Sequence, residues 1–198
     1  MNTLKAEKRN MSIKAEKIRR EGYVTGNLFG REIKPSIPLK ISKKELHNLL
    51  VTEKKGGRIS LVVDGETYDV LIKEIQWNGL KARIDEIDFQ ALISTEKIHS
   101  VIQITFEHED RIEDGVFDIR STEVPYRAYP AYLVSEEKVD VGQMKINDVI
   151  RVQDLAAASN KNIELLIDPD TVLASVCTVH NTITTEISGD ENIEPELV

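Results

Sequence analysis

Residues 59–72, ISLVVDGETYDVLI, constrain the fold more than any other stretch. Ile59, Leu61 and Val63 recur at every second position, and Tyr68, Val70 and Ile72 resume the pattern after Asp64-Gly65. A period of two is the repeat of a strand with one buried face. An Asp-Gly pair accepts the positive φ angles of a tight hairpin, whose twist suits the flanking strands. The two runs are therefore expected to pair antiparallel.

The same grammar recurs along the chain. Ile37, Leu39 and Ile41 alternate with polar or turn residues, and residues 23–29 read as loop or strand between Gly22 and Gly30. Asn78-Gly79 is a second turn signal. It precedes residues 84–92 (IDEIDFQAL), which place Ile87 and Phe89 on one strand face and Glu86 and Asp88 on the other. This β-rich region ends near residue 92. Beyond it, Ile102, Ile104 and Phe106 alternate, residues 146–155 continue a unit begun at Val139 and Val141, and residues 172–179 (VLASVCTV) form a last apolar strand. Residues 107–114 read as a charged loop. Pro125, Pro130, Tyr126, Tyr129 and Tyr132 read as irregular, extended chain.

Helices are few and short. Residues 13–21 lack Gly and Pro, Glu16 and Arg20 stand four apart, and Gly22 offers a stop. Ser42-Lys43-Lys44-Glu45 has the capping-box pattern, and Leu46, Leu49 and Leu50 give the following helix one apolar face. The expected fold class is mainly β with short helices.

Charge is unevenly placed. The net charge is −8, yet residues 1–60 hold 15 Lys and Arg against 6 Glu, and the remainder carries −17. Between residues 5 and 20, Lys5, Lys8, Arg9, Lys14, Lys17, Arg19 and Arg20 face only Glu7 and Glu16. Such a segment suits a polyanion, and it equally fits a solvated Lys-rich face. Residues 181–198 contain five acids and no Lys or Arg and are expected to be a disordered tail. No apolar run reaches the roughly eighteen residues of a membrane span, and no signal-like stretch is present. The single Cys177 leaves no internal disulfide, which points to a reducing, cytoplasmic setting.

Catalytic readings are weak. Lys54-Lys55-Gly56-Gly57-Arg58 lacks the Gly-Lys-Ser/Thr of a phosphate-binding loop. Asp85, Glu86 and Asp88 crowd together, but no His or Cys joins them to complete a metal set. His47, His99, His108 and His180 are scattered. Cys177 is expected in the core, and Trp77 either caps the core, the favoured reading, or stacks on a base. No cofactor, metal, membrane or small-molecule substrate is expected, and no enzyme activity.

Several pieces taken in order carry a resemblance. They are residues 4–9 (LKAEKR), 18–22 (IRREG), 26–30 (GNLFG), 69–76 (DVLIKEIQ), 84–89 (IDEIDF), 139–141 (VDV), 146–155 (INDVIRVQDL) and 168–172 (DPDTV). Together they resemble the two-domain bacterial large-subunit ribosomal proteins that bind 5S rRNA, whose longer members include a general stress protein, Ctc. The resemblance implies an N-terminal β-barrel-like domain over residues 1–95, a second β-rich domain over 96–180, and the tail beyond. It implies docking on the loop E region of 5S rRNA in the large subunit, with neighbouring ribosomal proteins as further partners. Arg9, Arg19 and Arg20 match the family's RNA-contacting arginines, with Lys8 and Lys14 beside them in the basic segment, and Asp88 matches its strand aspartate. Glu86 stands where the family has histidine, Phe29 where it has tyrosine, and Thr25 where it has proline. A carboxylate for a donor-capable ring and a lost hydroxyl imply weaker RNA binding than a standard member. The alternative is a divergent paralogue that works through protein contacts of its second domain.

Overall fold

A computed structural model describes residues 2–112 and 115–178. Six strands close into a barrel: β1 (Thr3–Lys8), β2 (Tyr23–Phe29), β3 (Ile37–Ser42), β4 (Arg58–Val63), β5 (Glu66–Asn78) and β6 (Arg83–Ala91). Their order around the ring is β1-β3-β2-β6-β5-β4. The expected hairpin joins β4 to β5, with Asp64 at φ 50° and Gly65 at φ 96°. Leu28, Leu39, Ile41, Ile59, Leu61, Val70, Ile72, Ile87 and Phe89 are fully enclosed inside the ring.

β1 has no counterpart in the expectations. It runs parallel to β4, from Thr3 opposite Ser60 to Ala6 opposite Val63, and its last two residues, Glu7 and Lys8, pair antiparallel with Lys40 and Leu39 in the middle of β3. Only Leu4 and Ala6 point inward, too short an alternation to stand out in a lysine-rich stretch. Its burial comes from closing the ring.

Helix α1 (Ala15–Arg20) precedes β2, with Gly22 at φ 89° just beyond it. Helix α2 (Lys43–Thr52) buries Leu46 and Leu49 as expected. The capping box does not form, because the Ser42 side chain makes no cap hydrogen bond. Ser42 is instead the last residue of β3, paired with Tyr23, and the Lys43 N–H donates to the Gly22 carbonyl. The helix leaves directly from a strand whose pairing already fixes Ser42.

The second half builds two further sheets. One has the order β10-β7-β9-β12, from β7 (Ile98–Glu107), β9 (Glu123–Ala128), β10 (Glu136–Asp140) and β12 (Ile163–Leu165). The other has the order β11-β13-β8, from β8 (Val116–Ile119), β11 (Val149–Arg151) and β13 (Val172–Cys177). Residues 123–128 are thus strand, not irregular chain. Val124, Tyr126 and Ala128 alternate into the core, and the Tyr126 hydroxyl donates to the Val134 carbonyl and accepts from its N–H, both at 2.9 Å. That exchange satisfies a buried phenol that the sequence alone left without a partner. The last strand stops at Cys177, which is exposed instead of core, because the pleat turns it away from Val176. The tail expectation for 181–198 lies outside the described residues, as does His180. Among the described residues no helix is long and apolar enough to cross a membrane.

Candidate nucleic-acid interface

Register decides which side chains share the outer face of the barrel. Thr25, Asn27 and Phe29 of β2 lie opposite Glu86, Asp88 and Gln90 of β6. Gln76, Glu74 and Leu71 of β5 lie opposite the same three residues. Directly paired residues project to one side, and the intervening Ile87 and Phe89 fill the core. Gly26 permits this approach of β2 to β6, since a Cβ there would sit 2.1 Å from the Ile87 carbonyl oxygen.

Asn27 organises the centre of the face. Its Nδ2 donates to Glu86 Oε1 at 3.2 Å and to Asp88 Oδ1 at 3.1 Å. Its backbone N–H donates to the same Asp88 oxygen. With Glu74 alongside, the centre carries three carboxylates. Asp85 does not join them. The β5–β6 register passes from Glu86 to Ile84, which leaves Asp85 as a bulge. Its carboxylate accepts from Asn78 at 2.8 Å and Arg83 at 2.7 Å. Those bonds, Asn78 first, with Arg83 and Arg19 nearby, hold its pKa below the ordinary aspartate value. Among the described residues no group of three His, Cys, Asp or Glu could hold a metal ion.

α1 lies along the Thr25 edge of this face. Arg19 Nε donates to the Asp85 carbonyl and its guanidinium to Thr25 Oγ1, both at 2.9 Å. Thr25, 1% exposed, is covered by this contact. Arg19 is thus half-buried and structural in part, while Arg20 is exposed and pairs with Glu16 four residues earlier at 2.6 Å. Lys14 is exposed at the start of the helix. The Arg20 bond lowers the pKa of Glu16, helped by Lys81 and Arg83, so the β5–β6 hairpin tip brings its cations to the same helix.

The predicted residues therefore divide. Arg19, Phe29, Glu86 and Asp88 meet on one face, with Lys14 and Arg20 at its flank. Arg9 folds toward the following loop, donating to the Ile13 carbonyl, and its Nε is buried without a partner. Its own N–H donates to Pro38, the β3 partner of Asn27. Lys8 stands apart, 3.7 Å from Asp64 on the β1 side of the ring, three strands from β6. Trp77 does not cap the core. It is 62% exposed beside a register shift between Gln76 and Trp77, where the hairpin projects past the barrel, and Leu80 at the tip is wholly exposed. Sequence reasoning missed Asn27 and Glu74. Period two over residues 23–29, with Val24 and Leu28 inward, was the available signal for Asn27.

Comparison with known proteins matches this barrel to the Ribosomal L25p family over residues 4–89. The following sheets match the ribosomal protein TL5 C-terminal domain over residues 97–180. A Bacillus velezensis protein named large ribosomal subunit protein bL25 is 31% identical over 180 residues, covering 89% of this chain and 88% of its own. Its namesake from Thermoanaerobacter pseudethanolicus is 29% identical over 164 residues, covering 82% and 81%. Another, from Thermosipho africanus, is 27% identical over 191 residues, covering 92% and 87%. Barrel, following sheets and near full-length relatives agree, and the chain belongs to the bL25 family of large-ribosomal-subunit proteins.

Proposed function

We propose that this is a structural protein of the large ribosomal subunit whose barrel, residues 1–95, binds the loop E region of 5S rRNA through the outer face of β2, β6 and β5. Family membership makes it a ribosomal protein of the bacterial cytoplasm and not an enzyme. The observation that carries the RNA reading is the Asn27 clamp, which presents Glu86 and Asp88 together on a face flanked by the cations of α1. A-form RNA displays 2′-hydroxyls and base amino groups in a wide, shallow minor groove. Carboxylate oxygens accept from those donors. Lys14 and Arg20 reach phosphates at the groove edge, and Arg19 fixes α1 through its bonds to the Asp85 carbonyl and Thr25. Phe29 contributes apolar contact in place of a tyrosine hydroxyl. Residues 96–180 act as a second domain, and a role under stress accords with the longer relatives of the resemblance.

A salt series with a loop E fragment tests the reading. The log of the affinity falls linearly with the log of salt concentration as phosphate neutralisation releases counterions. Deleting loop E, or Lys14→Ala with Arg20→Ala, abolishes tight binding. Affinity indifferent to salt, loop and cations rejects it. Glu74 favours a second reading, a paralogue with weakened RNA binding that acts through protein contacts of its second half. Restoring the family residues, Glu86→His with Phe29→Tyr, discriminates: a gain in RNA affinity supports the second reading, and no gain means that these two departures do not set the function.

A further inference from the structure

Residues 54–58, the loop after α2 together with the first residue of β4, use their cations inside the molecule. Lys54 Nζ meets Glu136 Oε1 at 2.5 Å and Thr105 Oγ1 at 3.1 Å. Lys55 Nζ meets both oxygens of Glu123, at 3.0 and 3.2 Å. Arg58 forks onto Asp69 of its own barrel and donates to the Pro130 carbonyl at 3.3 Å. From β5, Lys73 donates to the His99 carbonyl at 2.8 Å. The acceptors are not scattered. Glu136, Gln103 and Glu123 lie directly opposite one another on β10, β7 and β9, forming one row across three strands. Adjacent lysines of the loop therefore meet the two ends of an acid-amide-acid row, and Gln103 and Thr105 hold the acids in place.

The loop also presses on the sheet backbone. Gly56 has φ 84°, and a Cβ there would lie 2.3 Å from the Val101 carbonyl oxygen and 3.0 Å from Ser100 Oγ. Gly56 and Gly57 are tied back to Ile72 by two backbone hydrogen bonds of 2.9 Å. Leu71 points out of the barrel, opposite Gln90, yet is fully buried. It lines a small cleft with Lys55, Gly56, Ser100 and Val101.

We propose that residues 54–58 form an ionic latch that fixes the orientation of the β7–β10 sheet on the barrel. The carboxylate row is its receptor, Leu71 the apolar plug beneath it, and Gly56 the residue that lets the two backbones close. An interface held this way opens when its charges are screened or reversed.

Small-angle scattering on the full chain tests it. The paired change Lys54→Glu with Lys55→Glu raises the radius of gyration by about a tenth, as freed domains separate. Adding Glu136→Lys and Glu123→Lys restores the original profile. Raising salt to about 1 M, where the screening length is ~3 Å, opens the parent in the same direction. A folded double-glutamate variant whose profile superimposes on the parent overturns the latch. Should that variant not fold, an unchanged parent profile across the salt series overturns it instead.

Discussion

Asn27 and Asp88 are joined twice through one oxygen, with the backbone N–H and the side-chain Nδ2 of Asn27 both donating to Asp88 Oδ1 at 3.1 Å. The same Nδ2 reaches Glu86, so one neutral amide holds two carboxylates side by side. Among the described residues the second oxygen of each has no protein donor, which leaves both oxygens able to accept from the RNA of the proposed reading.

Replacing that amide is the first expectation. Asn27→Ala lowers unfolding stability by about 1 kcal/mol, the usual worth of such hydrogen bonds. Asn27→Asp lowers it further, since a fourth carboxylate then joins Glu74, Glu86 and Asp88 in one place. Denaturant midpoints check this, and an Asn27→Asp barrel as stable as the parent sinks it.

The neighbouring arginines of α1 separate by role. Arg19→Ala costs about 2 kcal/mol, because the bonds to the Asp85 carbonyl and Thr25 are charge-assisted and half-buried. Arg20→Ala leaves the melting temperature unchanged and lowers RNA affinity, with the salt slope reduced by about one unit. Equal thermal effects of the two changes would contradict the geometry.

Gly26 is a packing constraint. Gly26→Ala drives a methyl into the Ile87 carbonyl, and β2 and β6 must part. The expected loss is about 3 kcal/mol, the upper range of overpacking. Gly65→Ala is the control, since nothing lies within 4 Å of the added carbon there and only its positive φ resists.

Acid weakens the contacts of the lysine loop. Glu136 is held below the ordinary glutamate pKa of 4.5 by Lys54 first, then Thr105, with Lys138 adding to it. Glu123 is lowered by Gln103 first, then Lys55. A depressed folded-state pKa gives stabilisation that is present above the unfolded value and lost as pH falls through the folded one. The contacts are therefore intact at neutral pH and weaken below about 4.5. Scattering or thermal unfolding across that range reads the change, and Glu136→Gln with Glu123→Gln flattens it.

How much of this was legible follows from how local each signal is. The β4–β5 hairpin and the opposed faces of β6 are written in adjacent residues, so alternation and Asp64-Gly65 were sufficient. β1 was hidden because two inward residues, Leu4 and Ala6, make no pattern until β4 lies beside them. Pro125 and the tyrosines disguised β9, whose Tyr126 depends on Val134 across a turn. The pairing of Glu86 with Asp88 could be read from one strand. Glu74 could not, because a register shift between Ile72 and Glu74 sets which β5 residues share that face. Trp77 was misplaced for the same reason, one shift further along.

The parallel seam between β2 and β6 gives the outer face a property in time. Residues 25–29 emerge from synthesis long before residues 86–88, and between them the chain must form β3, α2, β4 and β5. No partial barrel carries the face, since Asn27 has nothing to hold until β6 arrives. A ligand that recognises the assembled row binds only finished barrels and draws the population toward them by mass action. On the proposed RNA reading, docking is also an inspection step, in which an incompletely folded copy is refused for want of a surface.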